Sequence, residues 1–444
     1  MSEQSSSKIA AVERFEIQFD SPGAVYFADQ EVTGRILLLL KQDHHISEIL
    51  LELKGRAKSY WTKHSGTSRQ HFADQEPYFL HQFCSDYTHR FGNDPSERTL
   101  PKGKHEIPFS YQLPKTLPSS FEGDFGWIRY TGKAILERPE DTDIITKTAF
   151  SVIGIEDMNS DPKARESVRL EKSDFDIKYC CRKRGTVSVC LTLPRRGFAA
   201  GESIPVSAEI NNTSSKSMRY AVARIKQHTT YRAKSFSGGE KTKEVSKIIV
   251  SKEKGPIGPH SSQSWQGDRL PIPPVPPKLL RCRIIDVSYT LELEVDPGIV
   301  IMAPLMLGTI PLMPRDEDMN ESAGGRKVSK DGAPMPAAPE CPQLRLIDEK
   351  GQASEVDQVS LEGLSEVERP RRRVRLPSSI LSELYPGLAA PSFEDSLFGP
   401  VHIAEAKEGH HYGAHAYTPK YACFRDQNEA APPSHTSTPL LHNH

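Results

Sequence analysis

Between Val287 and Val295 every second residue is apolar: Val287, Tyr289, Leu291, Leu293 and Val295 alternate with Ser288, Thr290, Glu292 and Glu294. Successive side chains of a strand point to opposite faces, so this run predicts a strand with one face in a core and the other in water. The same rule picks out Phe15, Ile17 and Phe19 against Glu16, Gln18 and Asp20, and also the stretches Val187 to Leu193, Ile128 to Leu136 and Ile204 to Ile210. Clusters of Gly, Pro, Ser and Asn separate these runs, and helix-period stretches are nearly absent before residue 315. Antiparallel sandwiches fit that pattern better than a βαβ sheet.

The pattern is also duplicated. Phe27-Ala-Asp-Gln-Glu31 precedes one alternating strand, and Phe198-Ala-Ala-Gly-Glu202 precedes another. Toward the other end of each copy a proline-bearing connector, LPKTLPSSFEG or LPIPPVPP, leads into a long strand, WIRYTGKAILER or IIDVSYTLELEV. Two related sandwiches in tandem account for both matches. They are expected over 13–155 and 173–314, with a disordered N-terminus (1–12) and a charged linker (156–172). From residue 315 onward 13 prolines fall in 130 positions, about twice the usual ~5%. There is no tryptophan and there are few alternating runs, so 315–444 is expected to be a disordered tail. The predicted fold class is all-β: two tandem immunoglobulin-like antiparallel β-sandwiches followed by that tail.

Length agrees with two domains, since 444 residues exceed the ~250 near which a single core stops growing. Lys plus Arg number 57 against 58 Asp plus Glu, which gives no electrostatic reason to expect nucleic acid. The start lacks a basic segment leading into an apolar run, and no stretch approaches the ~20 apolar residues of a spanning helix. A cytoplasmic protein is expected. The seven cysteines (84, 180, 181, 190, 282, 341 and 423) are scattered without a C-x-x-C spacing, which predicts reduced thiols rather than disulfides or a zinc site. His410, His411 and His415 have a ligand-like spacing only if helical, and Gly409 and Gly413 disfavour that helix. G-x-S-x-G, P-loop, H-E-x-x-H and dinucleotide-glycine patterns are missing, so no catalytic residue, metal or cofactor is expected.

Leu117 to Pro139 (LPSSFEGDFGWIRYTGKAILERP), Trp265 to Pro277 (WQGDRLPIPPVPP), the strand CRIIDVSYTLELEV and Ala303 to Leu312 (APLMLGTIPL) together resemble the arrestin domain-containing proteins, or α-arrestins. The resemblance covers about 300 residues, in several blocks in the right order. It implies two β-sandwiches with a short linker and a flexible tail. It also implies a non-catalytic adaptor, peripheral to plasma and endosomal membranes. The folded domains would engage cytoplasmic regions of membrane proteins, and a tail Pro-Pro-x-Tyr peptide would hold WW domains of a HECT-type ubiquitin ligase. Ubiquitination would then direct endocytosis or endosomal sorting. The alternative is a non-catalytic scaffold of the retromer-subunit type, which acts through a stable coat partner.

A WW domain grips a polyproline II segment between aromatic rings, and the tyrosine that ends the motif docks beside it. The positions of this tail that match the family motif are Ala390, Pro391, Ser392, Phe393, Glu394 and Asp395. Alanine replaces the first proline and phenylalanine replaces the tyrosine. A lost hydroxyl bond costs ~0.5 to 1.5 kcal/mol and the restored backbone freedom ~1 kcal/mol, so affinity is expected to fall about tenfold or more. Pro419, Lys420 and Tyr421 keep a Pro-x-Tyr core, with Thr418 in place of the leading proline. Chance alone supplies one Pro-x-Tyr in a chain with 35 prolines and 14 tyrosines. Pro391, Ser392, Phe393, Glu394, Pro419, Lys420 and Tyr421 are therefore candidate docking residues whose rival reading is an inert spacer.

Four further signals have bland readings. Pro271 to Lys278 (PIPPVPPK) has the pattern of an SH3 ligand, but its place before a long strand marks it as a stiff connector. The arginines between 369 and 375 and the basic cluster at 178–184 read as solvated charge, and GGEKT at 238–242 as a hairpin tip.

Overall fold

The computed structural model describes residues 11–66, 68–84, 86–92, 94, 98–139, 141–174, 185–314, 377–403 and 412–425. The cysteines at 180, 181 and 341, the whole basic cluster at 178–184, the arginines at 369–375 and two of the three tail histidines (410 and 411) lie outside these residues.

The first sandwich comprises β1 (Val12–Phe19), β2 (Val25–Phe27), β3 (Glu31–Leu40), β4 (His44–His45), β5 (Glu48–Ser65), β6 (Ser68–Cys84), β7 (Thr99–Leu100), β8 (Gly103–Gln112), β9 (Phe121–Gly123), β10 (Gly126–Glu137) and β11 (Ile144–Ile153). One layer has the order β1-β3-β8 and the other β6-β5-β10-β11-β2, with β9 beside β10. Alternation decides which way each strand faces. Along β10 buried and half-buried residues strictly alternate, so Ile128, Tyr130, Ala134 and Leu136 enter the core.

The second sandwich comprises β12 (Val168–Asp174), β13 (Val187–Leu193), β14 (Gly197–Ala199), β15 (Ser203–Asn212), β16 (Ala221–Ser235), β17 (Glu240–Lys254), β18 (Ser261–Pro271), β19 (Ile285–Val295) and β20 (Ile299–Gly308). Its layers are β12-β13-β15-β18 and β14-β20-β19-β16, with β17 on the outer edge of β16. The 238–242 stretch falls where β16 turns into β17.

The duplicated motifs occupy matching places. Phe27 lies in β2, which pairs in parallel with β11, the last strand of its sandwich. Phe198 lies in β14, which pairs in parallel with β20, the last strand of the other. Each proline connector is pinned by a buried tyrosine: the Tyr130 hydroxyl donates to the Pro118 carbonyl at 2.7 Å, and that of Tyr289 to the Pro276 carbonyl at 2.6 Å. Ile272 and Val275 of the second connector are 2% exposed, which accords with a structural role for PIPPVPPK.

Two features go beyond the sequence reading. The sandwiches are not separate beads, because β6 pairs with the end of β16 (Ala73↔Lys234, Phe72↔Ser235) and makes one layer of each sandwich part of a 12-stranded sheet. β19 stops opposite Tyr231, leaving the last residues of β16 an open edge that β6 takes. The charged linker is also packed rather than loose. Asp157 and Asp161 cap short 3₁₀ turns by accepting from the amides of Asn159 and Lys163, Met158 and Ala164 are buried, and β12 begins at Val168, inside the segment expected to be linker.

Candidate functional site

The candidate docking residues lie within 315–444, for which disorder was expected. Two pieces of that segment are instead ordered on the body. The first runs through α1 (Pro377–Leu384), β21 (Ser392–Asp395) and β22 (Val401–His402). The second runs through β23 (Tyr412–Gly413), β24 (Ala416–Tyr417) and β25 (Lys420–Cys423). They order because each brings large apolar side chains to a surface that can bury them. Leu381 and Ala422 join Val25, Phe27, Ile153 and Ile310 in a small core of their own, with Tyr385 and Phe393 packed against it.

The structure brings both candidate peptides together. β21 and β25 pair with each other, antiparallel, in the register Ser392↔Cys423, Phe393↔Ala422, Glu394↔Tyr421 and Asp395↔Lys420. Pro391 is buried, and the Ser392 hydroxyl is exposed and donates to Glu394 at 2.8 Å. The Phe393 ring meets that of Phe27 edge-on, with centroids 6.1 Å apart. Glu394 and Asp395 are bridged across the pair by Arg425 and Lys420. Pro419 is buried and its carbonyl accepts from the Ser396 amide at 2.8 Å. Tyr421 is 3% exposed and its hydroxyl donates to the Ser120 carbonyl at 3.1 Å. Burial drives the Tyr421 phenol well above its ordinary pKa and pushes the Cys423 thiol up to about 12.

This geometry is not that of a WW ligand. A WW domain reads a free polyproline II segment, whereas both peptides here are β-strands with their backbones paired and their aromatic rings turned inward. Neither is legible to a partner while it is docked.

Contacts reach both sandwiches. On the first, Tyr412 and Gly413 extend the edge of β11 opposite Thr146 and Lys147, the Lys420 amide donates to the Ser151 hydroxyl at 3.0 Å, and the Tyr412 hydroxyl donates to the Val12 carbonyl at 2.8 Å. On the second, the Phe424 amide donates to the Ala200 carbonyl at 2.8 Å and that of Leu397 to the Pro274 carbonyl at 3.0 Å. The Tyr385 hydroxyl donates to Asp157 in the linker at 2.6 Å. Gly201 and Gly413 permit two of these approaches. Both have positive φ, and a Cβ on Gly201 would sit 2.6 Å from the Phe424 backbone, one on Gly413 2.1 Å from the Lys147 carbonyl.

Local sequence carried part of this signal. Tyr421-Ala-Cys-Phe424 is a short apolar run of the kind that forms a buried strand, and SSILSEL offers an apolar helix face. Among the described residues no group of three or more His, Cys, Asp or Glu could hold a metal ion, and no helix is long and apolar enough to cross a membrane.

Two β-sandwiches sharing one sheet, with a C-terminal strap that touches both, define an arrestin-like double sandwich. Residues 15–159 match the family described as "Arrestin (or S-antigen), N-terminal domain", and 183–312 match its C-terminal domain. The chain is 44% identical over 427 residues to Arrestin domain-containing protein 17 of Caenorhabditis elegans, covering 94% of this chain and 99% of the relative. It is 33% identical over 302 residues to Arrestin domain-containing protein 4 of Mus musculus (66% and 70% covered) and 28% identical over 339 to Thioredoxin-interacting protein of Sus scrofa (74% and 83%). The chain belongs to the arrestin domain-containing family.

Proposed function

We propose that this protein is a non-catalytic cytoplasmic adaptor that links membrane-protein cargo to ubiquitination and to endocytic or endosomal sorting. The observation that carries the reading is a rigid double sandwich bearing two proline-aromatic peptides on one C-terminal strap. The cargo side is the junction where the two long hairpins meet. There Tyr60 of β5 shares a register line with Ala73 of β6 and Lys234 of β16, and Tyr60 and Phe236 expose their rings, the latter fully. Exposed aromatic side chains at a rim of polar residues suit a protein contact. The ligase side is the strap, through Phe393 and Tyr421, to WW domains of the HECT type.

Proximity labelling in cells tests both sides. The full chain should label a set of membrane proteins together with ubiquitin ligases, deletion of 374–444 should lose the ligases alone, and Phe236→Asp should lose membrane proteins alone. A stoichiometric coat complex recovered with the full chain, insensitive to both changes, would overturn the adaptor reading in favour of a coat scaffold.

A further inference from the structure

Among the described residues the two candidate peptides have no strand partner except each other, since β21 and β25 form a two-stranded sheet that no third described strand joins. An isolated two-stranded ribbon is marginal in water, so this one depends on its anchors to the body. Those anchors fall on separate elements: Leu381 and Ala422 against Phe27 and Ile153 of the first sandwich, and Phe424 and Leu397 on Ala200 and Pro274 of the second. If one strand leaves, the other loses its backbone partners and both cross-strand ion pairs at once. Exposure of Phe393 is thereby coupled to exposure of Tyr421.

We propose that β21 and β25 form a latch in which each candidate peptide masks the other, so that a WW-type partner reads neither while the strap is docked and both once it lifts. This rests on the docking reading given above and adds its regulation. The coupling also has a use. Each peptide departs from the full motif and binds weakly alone, whereas two released together on one stretch of chain can engage tandem WW domains with the gain that effective concentration confers. A masked pair of weak sites thus becomes a bivalent ligand in one step.

The test uses the full chain, an immobilised tandem WW array, and alkylation of Cys423 followed by mass spectrometry as a readout of opening that is independent of any partner. Cys423 is 2% exposed in β25. Leu381→Asp removes an anchor but alters neither peptide. It should raise both Cys423 alkylation and WW retention by about tenfold or more, the response to an opening equilibrium shifted by ~1.4 kcal/mol. Tyr385→Phe, which removes only the bond to Asp157, should do the same to a smaller extent and keeps the test valid if Leu381→Asp fails to fold. Ser392→Cys places a thiol opposite Cys423. Under a disulfide-forming oxidant it should abolish WW retention, and reductant should restore it.

Alkylation of Cys423 in the unaltered chain as fast as in denaturant would overturn the latch. So would a Leu381→Asp chain whose Cys423 opens without any rise in WW retention, if synthetic peptides spanning 388–397 and 416–425 do bind the array. If neither peptide binds, the docking reading fails instead. The latch is then judged by hydrogen exchange, where equal protection of 392–395 and 420–423 supports coupled opening and unequal protection refutes it.

Discussion

At the scale of single residues the clearest features are polar groups whose partners lie on another strand. Asp268 of β18 accepts from Lys254 at 2.5 Å and lies 2.9 Å from Lys252, both on β17. These contacts tie the edge of one layer of the second sandwich to the edge of the other. The bond from Lys254 holds the Asp268 carboxyl below the ordinary carboxylate range, with burial opposing it and Lys252 reinforcing it. A folded pKa below the unfolded one means that the contribution is complete above the ordinary value near ~4 and is lost as pH falls through the folded value. The expected outcome is that Asp268→Asn lowers stability by up to about 1 kcal/mol at pH 7. The difference should vanish once the wild-type carboxylate has taken its proton, as urea midpoints at neutral pH and well below pH ~4 would show. Neither the strand that carries Asp268 nor its partners were legible in the sequence, since SSQSWQGDRLP shows no apolar alternation. Nothing local distinguishes Lys252 and Lys254 from the other lysines of β17, and the choice depends on which strand edges face each other.

At the scale of elements, alternation and turn residues placed the strands well, because both act over a few neighbours. Tyr130 and Tyr289 also show why the duplicated connectors could be read from sequence: each connector sits a similar short distance before the strand whose tyrosine pins it, the pinned prolines lying 12 and 13 residues upstream. The junction between sandwiches had no comparable signal. It is held by the Ser59 hydroxyl, which donates to the Arg232 carbonyl at 2.6 Å, and by buried Glu76 of β6, which accepts from the Arg283 amide at 2.8 Å. Both link residues far apart in the chain. Glu76→Ala would strand the Arg283 amide and is expected to cost about 1–3 kcal/mol. The check is a denaturation curve in which the loss appears in a transition involving both sandwiches. A loss confined to the first would show that the junction does not couple them.

At the scale of the whole molecule the strap decides what can be read. Phe393 and Tyr421 were chosen as docking residues from their spacing to proline, and they do lie together, but in paired strands, Phe393 half-buried and Tyr421 buried. Phe27, Val25, Ile153 and Ile310 rely on the strap for cover. Deleting 374–444 exposes them and should lower the thermal midpoint of the rest of the chain by at least about 5 °C, given ~2–4 °C per kcal/mol for domains of this size. Calorimetry would check it, and an unchanged midpoint would show that the strap contributes nothing to the body.

The sequence by itself determined the strands, their inward faces, the duplication and the presence of two proline-aromatic peptides. These follow from periodicity and turn chemistry, which neighbouring residues set among themselves. Only the tertiary structure decided that the sandwiches share a sheet and that the tail peptides pair and turn inward. Those outcomes depend on open strand edges and uncovered apolar surfaces, such as the meeting of Ser151 with Tyr417 across 266 positions of chain. No local pattern encodes contacts of that separation.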